Sequence, residues 1–343
     1  MSAPIIAFFN NKGGVGKTSL VYHLAWMIAR KGLGVVAADL DPQANLTANF
    51  LDEDQLEMLW PAGNALTAPG RTVYGSLAPL LRGIGDIADP NVINIDHRLS
   101  LLPGDLTLSK FEDELSSQWP DCLDGKERAF RVESAFWRLL TWAARSTRAD
   151  VVLVDVGPNL GAINRAALIA ADRVVIPLAP DLFSVQGLQN LGPTLRAWRE
   201  EWHARIPKNP DPGLEIPPGA ITPIGYVLLQ HGVRLGQPVK AYQRWMARIP
   251  GVYRSAVLDV DEPAPPILSD RHCLAQIKHY RSLMPLSYEA HKPVFALKPA
   301  DGAFGGHQAA VAAAGEDFAA LAERILRDIG IQDPSVRQAE TTV

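Results

Sequence analysis

The densest chemistry in the chain lies near its start, in Asn10-Asn11-Lys12-Gly13-Gly14-Val15-Gly16-Lys17-Thr18-Ser19. Glycines at 13, 14 and 16 let backbone N–H groups approach an anion closely, because no Cβ stands in the way. The preceding Ile5–Phe9 reads as a buried strand. From Thr18 onward, Leu20, Val21, Leu24 and Ile28 recur at helical spacing. A strand, a glycine turn and a helix N-terminus together make a phosphate site, where N–H groups and the helix dipole both favour negative charge. Lys17 can reach the β- and γ-phosphates, and the Thr18 hydroxyl can ligate magnesium. This is chemistry for a nucleoside triphosphate.

Two further apolar runs end in carboxylates. Gly34–Gln43 carries Asp39 and Asp41, which strand alternation would aim to one side. Asp150–Asn159 runs through four apolar residues to Asp155, followed by Gly157 and Pro158. A single aspartate at a strand end is commonly a turn or cap residue. Three such elements in order, headed by a phosphate loop, argue for one shared site.

An ordinary phosphate loop has glycine where this chain has Asn11, and here Lys12 precedes the glycine pair. The resulting Lys-Gly-Gly-x-Gly-Lys-Thr resembles the deviant loop of the ParA/MinD ATPases, of the ParA/Soj partition type. The resemblance implies ATP and Mg2+ as ligands and a homodimer closed over ATP, in which Lys12 reaches the partner's nucleotide. It implies that Asp41 helps position the attacking water, that Asp39 supports the magnesium shell, and that Asp155 holds magnesium through water. Gly157 and Pro158 would begin a switch that senses the γ-phosphate. Nucleotide contacts then fall on Lys12, Gly13, Gly14, Val15, Gly16, Lys17, Thr18 and Ser19, with Lys12, Lys17 and Asp41 carrying catalysis.

The likeness extends over roughly residues 4–50, 98–200 and 222–330. Leu99–Asp105 with Leu108, Glu112 and Leu115 resembles a strand-then-helix unit of the family, and Asp172–Leu178 with Ser184–Leu191 another. Met284–Ala290 with Lys292-Pro293-Val294 resembles the family's ending, which puts Met284 and Pro285 beside the base. Many relatives contact adenine through an Asn after the strand Ile224–Leu229; this chain offers Gln230.

The 343 residues carry a net charge of −4 and 47% hydrophobic content, ordinary for a globular chain with a large core. Cys122 and Cys273 are too few for a disulfide framework and lack metal-ligand spacing. Apolar runs are of strand length only, so no membrane association is expected. The first strand begins within a few residues, so no signal peptide is expected and the location is read as cytoplasmic. Alternating strands and helices predict an α/β fold, a mostly parallel, doubly wound sheet with ligand at the carboxyl ends of the strands. A single ATPase domain is expected over 1–330, with insertions near 51–97 and 201–222 and a polar tail at 331–343. Pro61–Gly70 reads as a surface loop, and Ser255–Asp270 as an acidic one. Arg205–Pro223, with six prolines, reads as an extended excursion. Gly315–Gly330 shows Phe318, Leu321, Ile325 and Leu326 at helical spacing. Its acidic residues outnumber its basic ones, which favours packing on the sheet over a membrane surface.

Residues His231–Lys298 hold ten Lys/Arg against five Asp/Glu, among them Arg234, Lys240, Arg244, Arg248, Arg254, Lys278 and Arg281. A spacing of four puts Lys240, Arg244 and Arg248 on one helix face. In the resembling family this general region binds nonspecific DNA, which makes the segment a DNA-binding candidate with strong salt dependence. The resemblance further implies slow turnover until a ParB-like partner stimulates it, in the service of plasmid partition, chromosome segregation or cargo positioning. Two alternatives are an ATP-switched adaptor of a protein complex without DNA, and a synthetase-type enzyme of the same fold.

Overall fold

The structure, a computed structural model, describes residues 2–60, 71–230 and 239–332, without the side chains of residues 230 and 239–242. Eight strands form one sheet: β1 (Ile5–Phe8), β2 (Val35–Asp39), β3 (Ile93–Asp96), β4 (Leu99–Leu102), β5 (Val151–Asp155), β6 (Arg173–Leu178), β7 (Thr222–Gln230) and β8 (Cys273–Lys278). Their order is β3-β4-β2-β5-β1-β6-β7-β8, and only the β3–β4 pair is antiparallel. The fold is therefore the α/β class expected, with a mostly parallel sheet.

Helices cover both faces. They are α1 (Lys17–Arg30), α2 (Asn45–Phe50), α3 (Glu53–Leu59), α4 (Val73–Leu81), α5 (Phe111–Asp121) and α6 (Glu127–Glu133). The chain continues with α7 (Ala135–Thr147), α8 (Ala162–Ile169), α9 (Leu182–Arg205), α10 (Val239–Val252), α11 (Leu283–Glu289) and α12 (Gly306–Asp328). Strand alternation divides the core between them. Val152 and Val154 of β5 join one buried cluster with Phe111, Phe136 and Trp202, while Val151 and Leu153 join the other with Leu24, Ile28 and Phe318. Strands buried on both faces explain the near-continuous apolar runs of β1, β2 and β5.

Several boundaries differ from the sequence reading. The stretch read as an insertion, 51–97, carries α3, α4 and β3, and the loop expected at Pro61–Gly70 lies outside the described residues. The helix expected over Ser184–Leu191 is longer, running as α9 through Pro193 to Arg205, where the expected excursion begins. At Gly192 a Cβ would lie 1.9 Å from the Ala256 carbonyl oxygen, so the π-helical turn Tyr253–Leu258 packs on bare α9 backbone. The C-terminal helix starts at Gly306 rather than Gly315, and Phe318, Leu321, Ile325 and Leu326 are buried against the sheet as expected. No helix among the described residues is long and apolar enough to cross a membrane.

Candidate nucleotide site

Three neighbouring parallel strands end at the same sheet edge, and that register gathers the site. Asp155 pairs in register with both Phe8 of β1 and Asp39 of β2. The chain leaves β1 through Phe9–Gly16 and enters α1 at Lys17. Gly14 and Gly16 take φ of 71° and 88°, the left-handed region that a side chain resists. The loop is held from behind. Asn10 is buried, its Nδ2 donates to the Pro177 carbonyl at 2.6 Å, and its Oδ1 accepts from Lys12 N at 3.0 Å. Val15 is buried beneath the turn.

Lys17 is buried, with Asp155 and Asp41 nearby; burial lowers its pKa, and the two carboxylates work against that shift. Asp155 is fully buried, and neither of its oxygens has a hydrogen-bond partner. Its carboxyl is held well above the usual range, first by burial and then by the charge of Asp39, with Thr18 and Lys17 opposing. A buried carboxylate with two orphaned oxygens beside a threonine hydroxyl and a lysine fits a divalent cation, which would satisfy charge and lone pairs together. Thr18 and Asp155 are the residues that would hold Mg2+.

Asp39 stands differently. Its Oδ2 accepts from Thr47 N at 2.8 Å and Thr47 Oγ1 at 2.7 Å, and its Oδ1 from Asp41 N at 3.3 Å. Burial pushes its carboxyl up to about 7 against those three bonds. It is packed on Gly104, where a Cβ would come within 2.9 Å of its Cγ. With its lone pairs committed to protein donors, Asp39 suits an outer position behind the metal. β2 ends at Asp39, so Asp41 is placed by the turn that follows and not by strand alternation. Asp41 Oδ1 accepts from Gln43 N at 2.9 Å and lies 3.4 Å from where a Gly157 Cβ would be.

The segment after Asp155 lies beside the loop: a Cβ added to Gly13 would sit 3.9 Å from Pro158 Cγ. Asn164 pins the switch, its Nδ2 donating to the carbonyls of Gly157 at 3.0 Å and Asn159 at 2.7 Å. Glu112 of α5 caps α8, accepting from Ala162 N and Ile163 N. The sequence marked Glu112 only as part of a helix; its capping partner is 50 residues away.

Lys12 points away from this cradle. Its ammonium pairs with Asp181, the N-cap of α9, and lies 5.7 Å from the Phe183 ring centroid. Phe183 is 66% exposed, and Leu182 and Leu160 are less so, at 39% and 40%. Sequence reasoning missed Asp181, Phe183 and Asn164. The Asp181-x-x-Ser184 capping pattern was the one available signal.

Beside the loop opens an apolar cavity of about 110 Å³, lined by Val15, Gly16, Ser19, Leu20, His23, Leu229, Ile277, Met284 and Phe318, with Lys278, His279 and Tyr280 at its wall. Met284 lines this cavity, and Pro285 follows it in α11. The Gln230 side chain lies outside the described residues. His23 Nδ1 donates to the Ser19 carbonyl at 2.7 Å, and burial lowers its pKa to about 4, so the ring is neutral.

The candidate DNA patch is divided by the fold. Arg234 and the Lys240 side chain lie outside the described residues. Arg244 and Arg248 are exposed on α10, both over the Trp245 ring at 5.5 and 5.0 Å. Lys278 and Arg281 are exposed at the other end of the segment, Lys278 at the cavity wall. Arg254 does not belong to a basic surface: it is buried and paired with Asp270 at 2.7 Å, which also accepts from Tyr226 Oη. Counting charges along the chain cannot distinguish a buried ion pair from a solvated cation.

Residues 3–207 match the AAA domain family (AAA_31). The chromosome partitioning protein ParA of Caulobacter vibrioides is 28% identical over 206 residues, 59% of this chain and 66% of that protein. The chain spans between 41% and 66% of the length of the curated relatives it matches. Among solved structures, protein DIP2308 of Corynebacterium diphtheriae superposes with a TM-score of 0.71 at 25% identity, over 95% of this chain and 99% of that one. McdA of Cyanothece, solved as an ATP complex, superposes with a TM-score of 0.60 at 14% identity, over 96% and 98% of the two chains, and shares the fold. With its family match covering more than half the sequence and its lysine-bearing glycine loop seated at the sheet edge, the chain belongs to the AAA domain family as a ParA/MinD-type P-loop ATPase.

Proposed function

We propose that this protein is an ATP-dependent dimer switch that binds nonspecific DNA when closed and is reset by hydrolysis, for DNA segregation or cargo positioning. The observation that carries the reading is the position of Lys12. Lys17 is buried with Asp155 and Asp41 nearby, whereas the Lys12 ammonium is partly exposed, paired with Asp181 and set over the exposed Phe183 ring. A partly exposed cation beside an exposed aromatic ring, next to a nucleotide loop, suits contact with a second copy better than solvent.

In this mechanism the N–H groups of Gly13–Ser19 and the Lys17 ammonium receive the triphosphate. Thr18 and Asp155 would hold magnesium, which would neutralise charge on the triphosphate. Gly157 and Pro158, which lie beside the glycine loop, register the γ-phosphate, and Asn164 transmits their position to α8. Lys12 exchanges Asp181 for the phosphates of the partner's nucleotide. Asp41 orients the attacking water, Asp39 keeps the Asp41 turn in place, and a stimulating partner protein accelerates the step. The partition name borne by the Caulobacter relative supports the DNA-linked role.

Steady-state phosphate release, measured with nucleotide binding, tests the assignment. Lys17→Ala is expected to lose nucleotide binding. Asp41→Ala is expected to bind ATP with turnover at least tenfold below wild type; normal turnover in Asp41→Ala would remove it from the mechanism.

A further inference from the structure

The sheet edge opposite the nucleotide carries its own pattern. Arg98 immediately precedes β4, Arg30 closes α1 just before β2, Arg148 precedes β5, and Arg173 opens β6. In the sheet order β4-β2-β5-β1-β6, four of five consecutive strands, all but β1, therefore bring arginines to one edge. Backbone bonds tie these segments together: Val35 N donates to the Arg98 carbonyl at 2.8 Å and Asp150 N to the Gly34 carbonyl at 2.7 Å. Arg30, Arg98 and Arg148 are exposed, and among the described residues none of the three makes a side-chain hydrogen bond or ion pair. Arg173 reaches only its neighbour's carbonyl, that of Asp172.

The acidic residues of this edge each accept a backbone N–H and pair with none of the arginines. Asp150 accepts from Gly34 N, Asp172 from Ile5 N, and Asp96 from His97 N. At one end of the row Arg30, Arg98 and His97 line an open groove of about 500 Å³, walled by Trp26 and Phe295. Four strand spacings of about 4.8 Å span roughly 19 Å. That length matches about five to six base-pair rises of 3.4 Å along one strand of a duplex.

We propose that this arginine row is a DNA-backbone contact, reading phosphates without base specificity. The inference rests on the DNA-binding reading above and places its contact on the edge facing away from the nucleotide, distinct from the α10 patch. Cations spread over about 19 Å of one sheet edge suit a phosphate backbone, whose charges recur along its length. In a dimer closed over its nucleotides, the two rows face outward at opposite ends.

The test compares wild type with Arg30→Gln/Arg98→Gln/Arg148→Gln and with Arg244→Gln/Arg248→Gln, measuring anisotropy of a labelled 30-base-pair duplex with Mg2+–ATP across a salt series. Thermal stabilisation by Mg2+–ATP controls for folding. The triple variant is expected to lose at least tenfold in affinity near 100 mM salt, with a log–log salt slope shallower by about 2.7, from about 0.9 per lost phosphate contact. The α10 variant is expected to retain most binding. Should the triple variant fail to fold, Arg98→Gln alone is expected to flatten the slope by about 0.9. Loss in the α10 variant with an unchanged triple variant would overturn the row while leaving DNA binding intact. Absence of DNA binding by wild type would overturn both readings. Binding of the wild type to anionic vesicles but not to the duplex would overturn the row as a DNA contact.

Discussion

Asp155→Asn should stabilise the nucleotide-free protein while abolishing its response to Mg2+–ATP. The buried Asp155 carboxyl has two oxygens without partners and is held above its usual range. For an acid whose folded pKa is raised, its stability contribution is complete below the unfolded value and is lost as pH rises toward the folded one. At pH 7 the unfolded chain has released this proton and the folded chain still holds it. Each unit between the unfolded value of 3.8 and the working pH costs about 1.36 kcal/mol, so the penalty at pH 7 is on the order of 4 kcal/mol. Asparagine has no proton to retain and escapes that penalty. In a chain of this size the gain corresponds to a rise in Tm of about 3–8 °C. The assay is differential scanning fluorimetry at pH 7 on both proteins, with and without Mg2+–ATP. Wild type should gain stability from ligand, and Asp155→Asn should start higher and gain little. A less stable Asp155→Asn that still responds fully to Mg2+–ATP would refute the reasoning, because the carboxylate would then serve the fold and not a metal.

Further consequences follow from packing and charge. Gly192→Ala drives a methyl group into the Ala256 carbonyl, which backbone movement alone can relieve; a loss of about 1–3 kcal/mol is expected, read as a lower urea midpoint. An unchanged midpoint would remove the claim that α9 needs bare backbone there. Burial pushes the Glu133 carboxyl up to about 8, with Arg165 and Arg205 opposing. Stability from this group is complete below about 4.5 and drains away as pH rises to about 8, so wild type should weaken across that window. Glu133→Gln should flatten the decline by up to about 1.4 kcal/mol per pH unit. Chemical denaturation at pH 5, 6, 7 and 8 checks it, and identical slopes would exclude a neutral Glu133.

The phosphate loop was legible because its information is local: glycines at 14 and 16 are required by positive φ, and Lys17 follows them directly. The catalytic-edge aspartates were legible because parallel strands end at one edge, which turns separate apolar runs into a single line of carboxylates. The Asp41 position was reached for the wrong reason, since a turn and not strand alternation sets it. What escaped the sequence depends on distant partners. Lys12 meets Asp181 across 169 residues, and Arg254 finds Asp270 inside the fold. The start of α12 escaped because Ala309–Ala314 favours a helix strongly while offering little apolar periodicity to detect. The length of α9 escaped because proline and glycine normally end a helix, and here Gly192-Pro193 is retained for close packing.

The central claim is that ATP closes a dimer through Lys12. Sedimentation velocity of wild type and Lys12→Ala, each with Mg2+–ADP and with a non-hydrolysable ATP analogue, addresses it directly. Wild type should sediment as a monomer with ADP and as a dimer with the analogue, while Lys12→Ala binds the analogue and remains a monomer. A wild type that stays monomeric with the analogue, or a Lys12→Ala variant that dimerises as well as wild type, would contradict the account.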